Sequence, residues 1–477
     1  MKCAYFKELD KISFLDIKNK LDANDGEVKD LIDTLKYNNR KIVMPYIDEN
    51  EDDDDDQSGK YSFNFVGIIM YKEFVIKCYP KYLNEGYSDL EKDEILKTII
   101  QVLKKYGRSE KGIIGMSTEE QNKEFNLLSV LAFILTDFVD NGLYSNQNEI
   151  YEVNGEGEID WDKTVNETTA FIVNKNPFYF DMITRNDINN EIDFFRLMHK
   201  YVITQCSKVL KQTGLTDILS LPLIEFEVDE FLFYDEEYVL NQIVKELNVQ
   251  FVSRKQVVLK TLYSYFSRKQ DYEKHSNMSL FGTMSFNLVW EKTCAFVLNN
   301  QLNNTIDRID GIDKQNLDSG IEKEKLSALI PFPHWIPKGA MEYRKPKKTM
   351  QLDLISVFRK DAKRYFVIWD AKYYNLILTN EKLEHNPGVE DVIKQYIYHL
   401  VYADFIKNQS FDFSYNVLLF PSEYSDIKVI GKVDLEILRK ALNVNEILLM
   451  KMPAKLIFDM YLQEEFLNIG EKINFKM

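Results

Sequence analysis

The stretch from Gln351 to Tyr374, QLDLISVFRKDAKRYFVIWDAKYY, constrains this chain more than any other. LDLISVF is apolar and β-branched, the charged turn RKDAKR follows, and YFVIW runs straight into Asp-Ala-Lys. This is the signature of a hairpin. It puts Asp353 at the start of one strand and Asp370 and Lys372 at the end of the next. Residues two apart leave the same face of a strand, so Asp370 and Lys372 share a side. Two carboxylates and an ammonium at one sheet edge suit a hard divalent cation and a phosphate. Taken alone, the same residues read equally well as ordinary surface charges.

The surroundings bear on that choice. Between Lys338 and Asn375 ten basic residues face four acidic ones, although the whole chain carries a net charge of −16. Such an overall charge argues against a generic nucleic-acid coat protein. Part of it lies in one run, Asp48 to Asp56, read as a solvated loop. Upstream, FGTMSFNLVWEKTCAFVLNN has Phe286, Val289, Trp290, Thr293 and Val297 at helical spacing, with Glu291 as its acid. Residues 301–327 read as a polar loop or insertion, and the proline-rich IPFPHWIPKG as an extended approach to the hairpin. Downstream, VEDVIKQYIYHLVYADFI places Asp391, Gln395, Tyr398 and Tyr402 on one helical face. A strand, a helix, a strand and a terminal helix follow, outlining a sheet flanked by helices.

With 477 residues the chain exceeds one core, and three segments are expected. Residues 1–85 read as a small helix–helix–hairpin, winged-helix-like unit, with helices in ISFLDIKNKL and GEVKDLIDTLKYNN and a hairpin turning near Tyr71–Glu73. Such a unit binds DNA or packs against protein with equal plausibility. Residues 86–265 form a mostly helical middle, with helices at 89–106, at 118–139 and from Asn190, and with strands and turns suited to a partner. Residues 266–477 form the hairpin-bearing domain. The four cysteines show no CxxC spacing, so neither a disulfide framework nor a zinc site is indicated. No apolar run reaches membrane-helix length, and the start lacks a signal peptide's apolar core, giving a cytoplasmic expectation without a membrane. Gly155 and Gly157 do not form a phosphate loop, since GxxxxGK[ST] is absent throughout. Any nucleotide hydrolysis therefore falls to a partner.

Phosphodiester hydrolysis needs a cation to polarise the phosphate and acidify a water, with a positive group near the developing charge. Asp353, Asp370 and the backbone carbonyl of Ala371 are the expected metal ligands, joined by Glu291 directly or through water. Lys372 is expected to orient the water, with Gln395 and Tyr398 buttressing Lys372 or a phosphate. Glu291 as a surface acid, and Gln395 and Tyr398 as helix packing, remain the plain alternatives.

A helix glutamate, a D…DxK hairpin and a glutamine-bearing helix, in this order, resemble the PD-(D/E)xK nuclease superfamily. Within it the chain resembles the LlaJI family of restriction endonucleases, related to the McrC subunit of McrBC-type systems. The resemblance includes FVGIIMYKEFVIKCYPKYL (65–83), GLYSNQNEIYEVNGEGEIDWDKT (142–164), FGTMSFNLVWEKTC (281–294), IPFPHW (330–335) and the D…DAK segment. It departs from the superfamily at Leu352, where a proline is usual. The resemblance implies a multidomain α+β N-terminal region followed by an α/β PD-(D/E)xK nuclease domain, a central mixed sheet flanked by helices. It further implies a Mg²⁺- or Mn²⁺-dependent endonuclease acting on double-stranded DNA in defence against foreign DNA. A separate, McrB-like AAA+ NTPase, GTP-using, would be its partner, and a cognate DNA methyltransferase would belong to the same system. The NTPase contact would fall in residues 1–265, with Lys163 as the first residue to test. A non-catalytic adaptor that anchors and activates the NTPase, and a winged-helix DNA-binding regulator, are the competing functions.

Overall fold

The computed structural model describes residues 1–37, 41–46, 60–84, 86–109, 126–145, 147–174, 176–189, 193–271, 278–317, 320–339 and 342–475. The acidic run at 48–56, the beginning of the helix expected at 118–139 and the start expected at Asn190 lie outside these residues. The fold is mixed α/β with several separate sheets. By internal contacts the chain forms two units. One comprises 2–69, 74–114 and 281–477, and the other 70–73 and 115–280 together with Met1. The segments expected at 1–85 and 266–477 fall mostly in the first unit, and the middle segment mostly in the second.

The hairpin-bearing sheet has five strands. Helix α1 (Phe286–Val297) precedes the hairpin strands β1 (Leu354–Lys360) and β2 (Lys363–Ala371). Helix α2 (Val389–Asn408), β3 (Phe413–Ser422), β4 (Lys428–Val433), β5 (Ile447–Pro453) and α3 (Ala454–Gln463) follow. The spatial order is β1-β2-β3-β5-β4, with β2, β3 and β5 mutually parallel and both edge strands antiparallel. Strand β2 is therefore central and runs almost entirely buried, as parallel neighbours covered on both faces require. Alternation sends Phe366 and Ile368 into a core with Ile355, Val357, Tyr398, Tyr402 and Phe405. Leu352, where the superfamily's proline would stand, belongs to the same core.

That core corrects the reading of 301–327 as a loop or insertion. Leu302, Ile306, Ile309, Ile312 and Leu326 are buried in it. Three short 3₁₀ turns space these anchors, too briefly for a helical period to register in the sequence. Strand β4 was likewise not expected.

In the N-terminal part, helices Phe14–Leu21 and Asp25–Tyr37 and strands Val66–Tyr71 and Phe74–Tyr79 occupy the expected positions. The first helix has a capping box, Ser13 with Asp16. Strand Lys2–Lys7, not expected, pairs parallel to Phe74–Tyr79. Strand Met278–Thr283 lies beside Val66–Tyr71. There Gly67 and Gly282 approach so closely that a Cβ on Gly67 would sit 2.2 Å from the Phe281 carbonyl oxygen. Glu8, just past the first strand and 5% exposed, accepts the Tyr373 hydroxyl at 2.5 Å across 365 positions of sequence. Beyond it, Glu423 accepts from the Asn84 amide (2.9 Å) and from the Tyr87 hydroxyl (3.1 Å).

In the other unit, helices Leu127–Asn141, Phe194–Thr213, Glu236–Val249 and Ser253–Asp271 pack against one another, and the strands between residues 147 and 189 form two small sheets. Arg254 pairs in two-pronged fashion with Asp137. Among the described residues no helix is long and apolar enough to cross a membrane.

Candidate active site

The site forms where β2 ends. Even-numbered residues of β2 face α2, so Asp370 emerges at the rim of the core that Phe366 and Ile368 fill. Lys372, one step further on that face, meets the first turn of α2. Its Nζ lies 3.0 Å from Asp370 Oδ2 and 2.9 Å from Asp391 Oδ1. Asp353, just before β1, turns its carboxylate across the hairpin, where Oδ2 accepts the Ala371 amide at 2.8 Å. Asp353, Asp370, Ala371 and Lys372 thus meet in one place.

Their electrostatics are those of crowded negative charge. Burial first, then the neighbouring Asp370 and Glu291 carboxylates, push the Asp353 carboxyl up to about 8, against the pull of the Ala371 amide. Burial also raises Glu291, opposed by Lys372 and assisted by Asp370. For Lys372 burial works against the charge, but Asp370 and Asp391 outweigh it and hold the ammonium above its usual range. Carboxylates brought together at this cost are relieved by a cation.

Two neighbouring aspartate carboxylates are oxygen donors of the kind a hard divalent ion takes. Among the described residues no three His, Cys, Asp or Glu side chains converge into a complete metal cluster. Glu291 is within electrostatic reach of Asp353 and Asp370 without closing such a cluster.

Gln395 and Tyr398 donate their hydrogen bonds to backbone oxygens, and the Tyr398 hydroxyl lies within electrostatic reach of Asp370, Asp353, Lys372 and Asp391. Gln395 is fully buried, and its Nε2 donates to the backbone oxygens of Ile368 (3.3 Å) and Val417 (3.4 Å). It therefore ties α2 to β2 and β3. The Tyr398 hydroxyl donates to the Gln351 oxygen at 2.6 Å, fixing the chain two residues before Asp353. Lys163 belongs to the other unit, where its Nζ lies 3.4 Å from the centre of the Tyr151 ring.

Of two further residues here, the sequence places Asp391 on the helix face without a role and does not single out Asn300. Asp391 holds Lys372, and its place on the Gln395 face was the available signal. Asn300 had none. Its Oδ1 accepts the Ile355 and Leu302 amides at 3.1 and 3.0 Å, and its Nδ2 donates to the Asp353 oxygen at 3.2 Å. The tail of α1 is thereby stapled to the start of β1. Ser356 adds a second tie, donating to the Leu298 oxygen at 2.6 Å and accepting from Trp369 Nε1 at 3.1 Å.

The LlaJI restriction endonuclease family model matches residues 65–460. A component of the type II restriction enzyme BsuMI, YdjA from Bacillus subtilis (strain 168), is 29% identical over 429 residues, 88% of this chain and 85% of the relative. Among solved structures, a half-complex of Thermococcus gammatolerans McrB AAA+ hexamers with bound McrC matches at 12% identity and TM-score 0.37. It covers 97% of this chain and 99% of that one. The Thermococcus gammatolerans McrBC complex matches at 12% identity and TM-score 0.23, covering 55% and 79%. Likeness at these scores carries no conclusion about the present fold.

Proposed function

Since the chain belongs to the LlaJI restriction endonuclease family, we propose that it is the cutting subunit of a restriction system, a Mg²⁺-dependent endodeoxyribonuclease of PD-(D/E)xK type. The observation that carries this reading is the meeting of Asp353, Asp370, Ala371 and Lys372 at the end of β2. Mn²⁺ would suit the same oxygen donors.

Asp353, Asp370 and the Ala371 carbonyl would hold the cation, with Glu291 acting through a water. A divalent cation there supplies charge neutralisation for the phosphate and a more acidic water. Lys372 presents its ammonium beside the same carboxylates, where it orients the attacking water and offsets charge on the phosphate. Asp391 keeps that ammonium in place by a charge-assisted bond. Gln395 acts at one remove, holding β2 and β3 in register beneath the site.

The partners follow the same reading. The relative YdjA is described as one component of an enzyme, and the present sequence has no phosphate loop. Both suit a subunit that relies on a separate, McrB-like AAA+ NTPase, GTP-using, contacted through residues 1–265, including Lys163. Double-stranded DNA is the substrate, a cognate methyltransferase protects the host, and the work is done in the cytoplasm.

The test is cleavage of unmodified plasmid DNA with Mg²⁺ and the system's other subunits. Asp370→Ala and Lys372→Ala should each lower the rate by at least about 10²-fold, with unchanged circular dichroism. Full cleavage by both variants would leave the adaptor function in its place.

A further inference from the structure

Residues 331–350, PFPHWIPKGAMEYRKPKKTM, approach the site as an arm whose described residues are nearly all exposed. The arm has a defined shape. Trp335 and Arg344 exchange both backbone hydrogen bonds, at 2.9 and 2.8 Å, as partners in a hairpin do. The His334 and Tyr343 rings stack with centroids 3.7 Å apart, and Lys345 Nζ lies 5.7 Å from the Tyr343 ring. At its root the Thr349 hydroxyl donates to the Pro331 oxygen at 2.5 Å. Prolines 331, 333, 337 and 346 fix φ and lower the freedom the arm would lose on binding.

Its chemistry is one-sided. Lys338, Arg344, Lys345, Lys347 and Lys348 face a single acid, Glu342, in a chain of net charge −16. Trp335 and Ile336 are 67% and 68% exposed. Cations alternating with exposed apolar and aromatic groups match a nucleic-acid surface, with phosphates for the cations and sugar or base faces for the rings. An acidic protein would satisfy the cations but not the exposed tryptophan–isoleucine pair as a groove lined by sugars does.

The place of the arm matters equally. Asp353 is five positions after Lys348, so their Cα atoms are at most ~18 Å apart. That is about half of a ~34 Å turn of duplex. Tyr398 fixes the exit of the arm at Gln351.

We infer that residues 331–339 and 342–350 belong to a DNA-binding arm that grips duplex phosphates, Lys348 within half a turn of the cleaved bond, and lays Trp335 and Ile336 into the adjoining groove. This rests on the nuclease reading for its cleaved bond, but not for its binding.

The test uses the full chain carrying Asp370→Asn, without divalent metal, and a labelled 30-base-pair duplex followed by fluorescence anisotropy over a salt series. Combining Lys345→Glu, Lys347→Glu and Lys348→Glu should weaken binding at least about tenfold at 0.1 M salt. It should also flatten the log–log salt slope by about three. Trp335→Ala should weaken binding several-fold with the slope unchanged, and Trp335→Phe should recover most of the loss. A control combining Lys382→Glu, Lys428→Glu and Lys455→Glu makes the same charge change at exposed lysines of the same unit. Equal effects of the two triple variants, an unchanged slope in the first, or no duplex binding by the parent at 50 mM salt would each overturn the inference. Cleavage by Asp370→Ala would sink the nuclease reading and leave this one standing. Normal duplex binding by the arm variant beside a dead Asp370→Ala would do the reverse.

Discussion

At the scale of single residues, function and stability pull in opposite directions around Asp353. Its carboxyl is pushed up because it is buried against Asp370 and Glu291. Asp353→Asn keeps an oxygen for the Ala371 amide and is neutral without having to take up a proton. We expect it to abolish cleavage yet raise the melting temperature of the metal-free protein, as site residues held against stability do; differential scanning calorimetry decides. Asp391 makes a complementary prediction. Without it, Lys372 has Asp370 as its remaining carboxylate in these contacts and competes there with the cation. Asp391→Asn should therefore shift the half-saturating Mn²⁺ concentration upward several-fold in a DNA-free titration followed by electron paramagnetic resonance. His199, in the other unit, is a pH-sensitive residue of a different kind. It is fully buried, its Nδ1 accepts the Tyr144 amide at 3.0 Å, and burial lowers it to about 4. A depressed histidine contributes stability that is complete above the unfolded value near 6.5 and is lost as pH falls toward 4. That loss amounts to about 3 kcal/mol at most. His199→Asn, which retains an acceptor but does not titrate, should flatten the dependence of unfolding free energy on pH across that window.

At the scale of elements, the glycine pair shows what backbone proximity demands. Gly67→Ala or Gly282→Ala places a methyl against a main-chain oxygen 2.2 Å away, which only a strand shift relieves. Each should cost about 3 kcal/mol or more in denaturant unfolding, and the double substitution less than their sum, because one shift accommodates both. The same scale explains what the sequence could disclose. The hairpin at 354–371, the helices at 286–297 and 389–408 and the hairpin at 66–79 were legible because each carries a sustained period. The anchors between 302 and 326 were not, since single isoleucines separated by polar turns have no period. Strand Lys2–Lys7 was missed because it pairs in parallel with a strand some seventy residues away, and nothing local reports a distant edge. Within the site, the aspartates and lysine were legible from spacing. Gln395 was recognised as a site-helix residue, but its fully buried place between two strands depends on packing that spacing does not encode.

At the scale of the molecule, residues far apart in sequence build the surroundings of Asp370 and Lys372. Tyr373 follows Lys372 directly, and its hydroxyl ends on Glu8. Removing that acceptor with Glu8→Ala should cost about 2–3 kcal/mol and lower cleavage together with stability. Glu8→Gln, which can still accept the hydroxyl, should preserve most of both. Thermal melts and cleavage rates of the two variants, measured side by side, separate the loss of an acceptor from the loss of a charge.

The Glu8–Tyr373 bond also has a consequence in time. A ribosome adds Tyr373 365 positions after Glu8. The residue beside Lys372 is thus secured by a part of the chain made long before it, and a product ending before Lys372 has neither that lysine nor Tyr373. On the proposed nuclease reading, a protein able to attack its own cell's genome would in this way stay harmless until residues 370–373 have been made.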